Sequence, residues 1–504
     1  MTKFILTYSL RFFSVFILTF LQPTSAQSEI PSLVKKGLDN CYSFQWTSAE
    51  NIFLNLQKKY PDNPAGYHYQ SEIYLWYYLG TKNNEDLKSF THYSDLTIQK
   101  CENELDKNSD NSEILYLLGM NYTLRAIAFT QAESYLDAAW AAKKSESNLS
   151  ECLELNDKKY DVYLGLGLYN FAVAQIPKAF SWVLNIAGFS GDEEKGFQYL
   201  KLASEKGEIA RVEAKYFYSQ LLSEVIGDYK TADFYLKDLS KRYPENLLFN
   251  YSLASNLIKQ KRPADAKNIL KTILASKDKK FVQLISFSNF LLGDVYFKLN
   301  DFNNSINYYD MFIASTRDND YTGIANYRAA ISLEFIGRNN DAAAKFNKSG
   351  RGNMDLDDDI YAKRRGKLFS SRKIYNDELT LIRLSNLVEQ GNFKAAVDSI
   401  NSYLQYVKSE PLMCEANFYL SESHYQLGNY NEALRNAAES LHLNCSEEKW
   451  IHPFAAYTAA RSLIKLGKFD EAKKYIEKAE DFSDYDYKNR LENFLQVLYK
   501  EINN

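Results

Sequence analysis

The chain has 504 residues, of which 45% are hydrophobic and 25% are charged, and its formal net charge is −4. This composition is sufficient for a large core, and the absence of a basic surplus argues against a nucleic-acid partner. With only 20 glycines and 9 prolines, the chain is unlike proteins built from tight turns and short strands, so we expect helices.

The first 26 residues have the organisation of a secretory signal peptide. Lys3 and Arg11 precede an apolar run over residues 12–21, and the small residues 24–26 follow it. An uncleaved membrane anchor is the alternative, but the run is about half as long as the roughly 20 residues that a bilayer requires. We therefore predict cleavage after Ala26, export, and action in the periplasm or cell envelope.

Residues 27–212 carry irregular helical repeats. Residues 46–61 have the pattern of a second repeat helix with its closing proline, and residues 117–122 have that of a first repeat helix. A glycine-rich helix over residues 161–171 then leads into an apolar insertion at 171–189, and Gly188-Phe-Ser-Gly-Asp192 follows. Ser190 and Glu193 have the spacing of a capping box, which predicts a turn between helices here.

The apolar insertion has one charged residue, Lys178. Packing against neighbouring hairpins is the simpler interpretation. The alternative is docking onto a membrane or a hydrophobic partner, and the side chains that would dock are Phe180, Trp182, Val183 and Ile186.

Residues 213–504 repeat one pattern every 34 to 39 residues or so. An apolar helix ends at a glycine or polar residue, an aromatic residue follows two places later, and an alanine three places after that opens a second helix. The clearest copy has Gly428, Tyr430 and Ala433. Matching turns begin at Gly227, Asn300, Gly337, Gly391 and Gly467, and a weaker one precedes Pro263.

A charged segment at 349–373 interrupts this array. Its acidic residues come first and its basic residues last, which favours one helix beginning near Asp357 because these charges complement the helix dipole. A calcium loop is the alternative, but the segment lacks the glycine and the closing glutamate of an EF-hand.

The hairpin pattern resembles the tetratricopeptide repeat. The block at about 100–210 resembles a family of tetratricopeptide proteins known in eukaryotes for inclusion-body clearance and lipid-related roles, with exported bacterial relatives. These resemblances imply an all-α, right-handed superhelical solenoid of antiparallel hairpins, in which the first helix of each hairpin lines a concave groove.

Aligning the hairpins brings aromatic residues to one equivalent position on the first helices. Such a ladder would suit a protein or extended peptide, because aromatic side chains bury much area at a low entropic cost. The alternative is that these residues only pack the hairpins together, because this position of the repeat is often aromatic for that reason alone. Chaperone-adaptor members of this repeat family bind the C-terminal carboxylate of a partner through an asparagine four places further along the first helix. No asparagine occurs at those positions here, so this mode of binding is not expected. The predicted groove residues are Phe217, Tyr251, Phe290, Phe297, Tyr327, Phe335, Phe418, Tyr425, Tyr457 and Arg461.

The chemistry-bearing residues are sparse and scattered. The five histidines form no HExxH motif, and no GxSxG or P-loop motif occurs. Cys414 and Cys445 flank one hairpin at ends that antiparallel packing brings together, which favours a disulfide over a zinc site with His452. We therefore predict no cofactor, no metal and no catalytic residue.

The sequence favours a non-catalytic scaffold that binds a partner protein or extended peptide in the groove. The alternative is a lipid- or membrane-associated adaptor that uses the segment around Trp182. An enzyme is the third possibility.

Overall fold

The computed structural model describes residues 24–176, 188–278 and 280–503. Within these ranges the chain is helical and contains no β-strand, and the predicted all-α fold of tetratricopeptide-like hairpins is confirmed. None of the described helices is both long enough and apolar enough to cross a bilayer. Residues 1–23, most of the predicted signal peptide, lie outside the described part.

The chain divides into two compact units. Unit 1 comprises the described residues up to Tyr218 together with Lys241–Asn246, and unit 2 comprises Ser219–Ser240 and the chain from Leu247 onward. The predicted boundary between residues 212 and 213 lies a few residues before the division at Tyr218, in the same helix.

Unit 1 is a series of antiparallel helices, and each of the first seven packs on the next. They are α1 (Thr24–Tyr42), α2 (Trp46–Lys59), α3 (Ala65–Thr81), α4 (Asn84–Leu105), α5 (Ser112–Gln131), α6 (Tyr135–Leu155), α7 (Val162–Ala174), α8 (Glu193–Lys206) and the first part of α9 (Arg211–Leu221).

Two glycines allow close packing around one leucine in unit 1. A Cβ atom at Gly119 would lie 2.6 Å from Leu149 Cδ2, and one at Gly165 would lie 2.4 Å from Leu149 Cδ1. Leu149 is fully buried, so α5 and α7 can approach α6 on either side only because these positions lack side chains.

The segment Lys241–Asn246 is held to the first helix of unit 1. The hydroxyl of Tyr243 donates to Asp39 Oδ1 over 2.8 Å, and the side-chain amide of Asn246 donates to the carbonyl of Tyr42 over 2.9 Å. Unit 1 is therefore completed by residues that follow the first part of unit 2 in the chain.

The start of α8 corrects one expectation. The N-cap is Asp192, whose side chain accepts from the backbone N–H of Lys195 over 3.0 Å, and Ser190 is not the cap. Aspartate is as good an N-cap as serine, and here it lies immediately before the first helical residue, Glu193.

Unit 2 begins with the end of α9 and a π-helical turn, Leu222–Ile226. Its helices are α10 (Tyr229–Arg242) as far as Ser240, α11 (Leu247–Lys259), α12 (Pro263–Leu274), α13 (Val282–Lys298), α14 (Phe302–Ser315), α15 (Thr322–Phe335), α16 (Asn339–Lys348), α17 (Asp357–Ser371), α18 (Asn376–Glu389), α19 (Phe393–Leu404), α20 (Glu410–Gln426), α21 (Tyr430–His442), α22 (Ile451–Lys465), α23 (Phe469–Glu480) and α24 (Lys488–Asn503).

The predicted hairpin turns are confirmed by their backbone conformation. A residue with positive φ stands at each of them: Gly227, Lys261, Asn300, Gly337, Gly391, Gly428 and Gly467. Glycine and asparagine adopt this left-handed conformation most readily, which explains why they recur where one helix must reverse into the next.

The charged segment forms the predicted single helix, α17, which begins at Asp357. Asp359 in its first turn accepts backbone N–H groups from Ile324 and Asn353, each over 2.8 Å. The acidic residues thus fasten the inserted helix to α15 as well as complementing its dipole.

The first and last parts of unit 2 meet. The ring of Phe494 in α24 lies against Gly227, where a Cβ atom would be 3.2 Å from Phe494 Cε1. The same ring stacks on Tyr457 with 5.8 Å between ring centroids, and Arg490 pairs with Asp358 over 3.4 Å. The last helix of unit 2 therefore returns to its first turn, and we call this arrangement the ring of unit 2.

Replacing Gly293 by alanine should destabilise unit 2 by about 1–3 kcal/mol. The new Cβ would lie 2.6 Å from the ring of Tyr309, which is fully buried and donates to Asp294 over 2.7 Å, so the ring cannot move aside. Urea unfolding measures the change. Gly350→Ala is the control, because its nearest neighbour would be Lys363 Cγ at 3.6 Å; an equal loss in both variants would contradict the packing explanation.

A carboxyl pair in unit 1, buried Glu72 and half-buried Glu213, leads to a pH prediction. Burial raises the pKa of Glu72, and burial together with the charge of Glu72 raises the pKa of Glu213, to which it is hydrogen-bonded. A carboxyl group with a raised pKa binds its proton more tightly in the folded protein, so stability falls as pH rises above the ordinary glutamate value.

Unit 1 should therefore open more readily at about pH 8 than at about pH 5, and Glu213→Gln should reduce this pH dependence. Hydrogen exchange of the α3 amides, with intrinsic rates corrected for pH, measures the opening. Equal pH dependence in the variant and the parent would show that the pair does not act in this way.

Candidate functional site

The ring of unit 2 encloses a cavity of about 1200 Å³. The first helices of successive hairpins supply most of its wall, namely α11, α13, α15, α18, α20 and α22. The inserted helix α17, the last helix α24, the start of α10 with the turn before it, and the loop at residues 445–450 supply the rest. This is the concave side that the sequence analysis assigned to the groove.

The predicted groove residues divide between the cavity wall and other places. Those that line the cavity are Phe290, Phe297, Tyr327, Phe418, Tyr457 and Arg461. The other predicted groove residues do not line the cavity: Phe217, Tyr251, Phe335 and Tyr425. Phe217 belongs to unit 1, and Phe335 stacks on Phe302 with 3.9 Å between centroids.

Several of the lining aromatic residues are covered by the protein's own side chains. Phe290 is 8% exposed and packs on Tyr321 at 5.2 Å, and Tyr327 is 4% exposed and packs on Tyr361 at 5.7 Å. These residues pack within the wall, and little of their ring surface is exposed to the cavity. Their contact with a partner stays a prediction.

Arg461 is fixed within the wall by aromatic and acidic neighbours. Its guanidinium lies 3.9 Å from the ring centroid of Tyr425 and 5.0 Å from that of Tyr457, and it pairs with Glu422. Tyr425 therefore acts on the cavity indirectly, by stacking under Arg461.

Ion pairs join hairpins that are distant in the sequence. Glu389 at the end of α18 pairs with Lys298, 2.7 Å away, and with Lys261. Burial opposes ionisation of Glu389, but the two ammonium groups outweigh it and hold its pKa below the usual range. Adjacent hairpins are also paired, since Asp294 on α13 pairs with Arg328 on α15.

Glu448 is the most heavily bonded carboxylate of the wall, and it is 7% exposed. Its oxygens lie 2.9 Å from Arg364 Nη2 and 2.8 Å from Arg365 Nε, and they accept from the Tyr361 hydroxyl over 3.2 Å and Trp450 Nε1 over 3.0 Å. It thereby ties the loop at residues 443–450 to the inserted helix α17.

A disulfide anchors that loop. Cys414 in α20 and Cys445 are bonded, with 5.8 Å between their Cα atoms, and the backbone N–H of Glu448 donates to the carbonyl of Cys445 over 3.0 Å. Cys41, Cys101 and Cys152 are free and buried. Among the described residues, the one group of three potential metal ligands is Cys414, Cys445 and His452, and its two sulfurs are bonded to each other.

Sequence reasoning missed the acidic loop and the role of the basic residues in α17. Arg364 and Arg365 were interpreted as helix-dipole partners, and Glu447, Glu448 and Trp450 were not singled out. A signal was present, since two consecutive glutamates begin two residues after Cys445, a cysteine of the predicted disulfide. The predicted docking residues Phe180, Trp182, Val183 and Ile186 lie outside the described residues.

Two family models match the chain. The model described as Iml2/Tetratricopeptide repeat protein 39 matches residues 87–351, and the model described as anaphase-promoting complex, cyclosome, subunit 3 matches residues 389–479. No curated protein matches the chain.

Solved structures that match include the P58(IPK) TPR domain, yeast Tom70 and a human IFIT1 dimer with PPP-AAAA. Their sequence identities are 12%, 14% and 14%, and the matches cover 94%, 94% and 82% of this chain and 98%, 96% and 94% of theirs. The TM-scores are 0.21, 0.26 and 0.35.

Replacing Glu448 by alanine should lower the stability of unit 2 by roughly 3 kcal/mol, because the buried guanidinium of Arg365 would lose its nearest carboxylate. Urea unfolding checks this. Glu439→Ala, at an exposed carboxyl on α21, is the control and should change stability by less than about 0.5 kcal/mol. A similarly small effect at Glu448 would show that the pair contributes little.

Proposed function

Because the chain belongs to the Iml2/Tetratricopeptide repeat protein 39 family, we propose that it is a non-catalytic scaffold that binds a segment of a partner protein in the cavity of unit 2. Tetratricopeptide folds serve as scaffolds for protein–protein interaction, and their partners bind to the concave face that stacked hairpins create. The cavity, on the concave side of unit 2, is the observation that carries the proposal.

The size and lining of the cavity support a peptide segment as the ligand. A volume of about 1200 Å³ exceeds that of typical small-molecule pockets, which hold roughly 300–1,000 Å³, so several side chains fit. Aromatic groups such as Tyr457, Phe454 and Phe494 alternate in the wall with paired charges, and this mixture suits the apolar and polar parts of a peptide.

The chemistry of the wall supports binding without turnover. No histidine occurs among the described residues that line the cavity, and its one cysteine, Cys445, is in the disulfide. Most lining carboxylates are held in ion pairs, such as Asp294 with Arg328 and Glu422 with Arg461, and a paired carboxylate is poorly available as a general base.

We propose further that the scaffold acts after export, in the periplasm or cell envelope. The signal-peptide pattern of residues 1–26 supports this, and so does the Cys414–Cys445 disulfide, because disulfides persist mainly in oxidising compartments.

A photo-crosslinking amino acid placed at Ser385 should trap a discrete partner protein in cells that make this protein. Ser385 lines the cavity from α18 and is half-buried, so the probe reaches the cavity without replacing a core residue. Mass spectrometry of the adduct identifies the partner.

The control position is Lys394, which is exposed on α19, the second helix of the same hairpin. An adduct formed from Ser385 and absent from Lys394 is expected. The same adduct from both positions, or none from Ser385, would argue against binding in the cavity.

A further inference from the structure

Glu415 differs from the other acidic residues of the cavity wall. Every other carboxyl group among the described lining residues has a cationic side chain or a backbone N–H within ion-pair or hydrogen-bond distance. The partner of Glu415 within the described chain is the hydroxyl of Tyr419, which donates to Oε1 over 3.1 Å. Among the described lining residues, Glu415 is thus the one carboxyl group with neither a cationic side chain nor a backbone N–H as its partner.

The position of Glu415 is fixed from two sides. It follows Cys414 in α20, and the disulfide from Cys414 to Cys445 holds the loop that carries Glu448 beside it. The positive charge of Arg365 lowers the pKa of Glu415, but Arg365 is already paired with Glu447 and Glu448.

The surroundings of Glu415 disfavour its charge. Burial is the main cause, and the negative charges of Glu448 and Glu378 add to it, while Arg365 and the Tyr419 hydroxyl act in the opposite direction; together they raise the pKa of Glu415 to about 7. Near neutral pH the group is thus divided between its two protonation states, and an incoming positive charge would favour the ionised one.

Aromatic rings lie close to the same place. Phe418 and Tyr419 follow Glu415 on α20, and Trp450 packs edge-on against Phe418 at 5.4 Å. All three line the cavity. A cation that approaches Glu415 would therefore meet π faces and edges together with a carboxylate, the combination that recognises ammonium and guanidinium groups.

We propose that Glu415 binds a lysine or arginine side chain of the partner segment, and that this contact sets the register of the segment in the cavity. The inference rests on the proposed function and adds to it the chemistry of the ligand: a basic residue with apolar neighbours. A free carboxylate or phosphate would be repelled at this point, because carboxyl groups outnumber the cations around Glu415.

Selection of random octapeptides on the purified full-length protein tests the inference. Peptides that bind to the parent and not to Ser385→Trp, which places a large ring in the cavity, are sequenced. The peptide that binds most tightly is synthesised with a fluorescent label. We expect a lysine or arginine at one position, flanked by apolar residues. A matched peptide in which norleucine replaces that residue removes the charge and keeps the aliphatic chain.

Fluorescence anisotropy then compares the two peptides on the parent and on Glu415→Gln. On the parent, norleucine should weaken binding about tenfold, and on Glu415→Gln the two peptides should bind within about twofold of each other. Glu439→Gln, at an exposed carboxyl, should behave like the parent. For the parent, affinity for the basic peptide should rise roughly tenfold from about pH 6 to about pH 8, because binding needs the ionised form of Glu415.

The outcomes separate this inference from the proposed function. Two results would overturn the inference without contradicting the scaffold function. The first is that the peptides that lose binding to Ser385→Trp contain no basic residue. The second is that norleucine weakens binding to Glu415→Gln as much as it weakens binding to the parent. If every peptide that binds to the parent binds equally well to Ser385→Trp, both the inference and the proposed function fail. Circular dichroism and urea unfolding establish that Glu415→Gln is folded, so that a loss of binding is not a loss of structure.

Discussion

A single helical hairpin cannot cover both of its apolar faces, and this constraint shapes the whole of unit 2. Each hairpin is covered by the next, and the last pair, α22 and α23, is covered by α24 through Leu491, Leu495 and Leu498. The outer face of α24 is polar, as expected of a helix that ends a stack. Since Phe494 of the same helix lies against Gly227, the helix that ends the stack also closes the ring.

Ring closure changes the environment of the charged residues. Side chains that would be solvated on an open solenoid face one another across a confined space, where a charge must be paired or partly neutralised. Glu389 joins Lys298 to Lys261, and Glu448 joins the disulfide-bonded loop to α17. Compared with apolar residues at the same positions, such ion pairs add little net stability. They do specify which hairpins contact each other, and this defines the shape of the cavity.

Local sequence signals were enough to predict the fold, because they act within one hairpin. Glycine or asparagine at the turns, and the order of charges from Asp357 onward, place the helices correctly. The cavity wall depends on contacts between residues more than 80 positions apart, such as Arg364 with Glu448. These contacts follow from the curvature of the stack, which no single repeat encodes. For the same reason, the sequence could align Phe290 with Tyr327 but could not show that their neighbours cover them.

The order of the chain through the two units has a consequence for biosynthesis. Tyr243 and Asn246 bond to Asp39 and Tyr42 within unit 1, yet residues 219–240, which precede them, belong to unit 2. During synthesis, unit 1 therefore cannot be completed until residues 219–240 of unit 2 have been translated. Cleavage of the chain at any single peptide bond would likewise not yield two complete units. Exchange of either unit by a single crossover would therefore leave both incomplete.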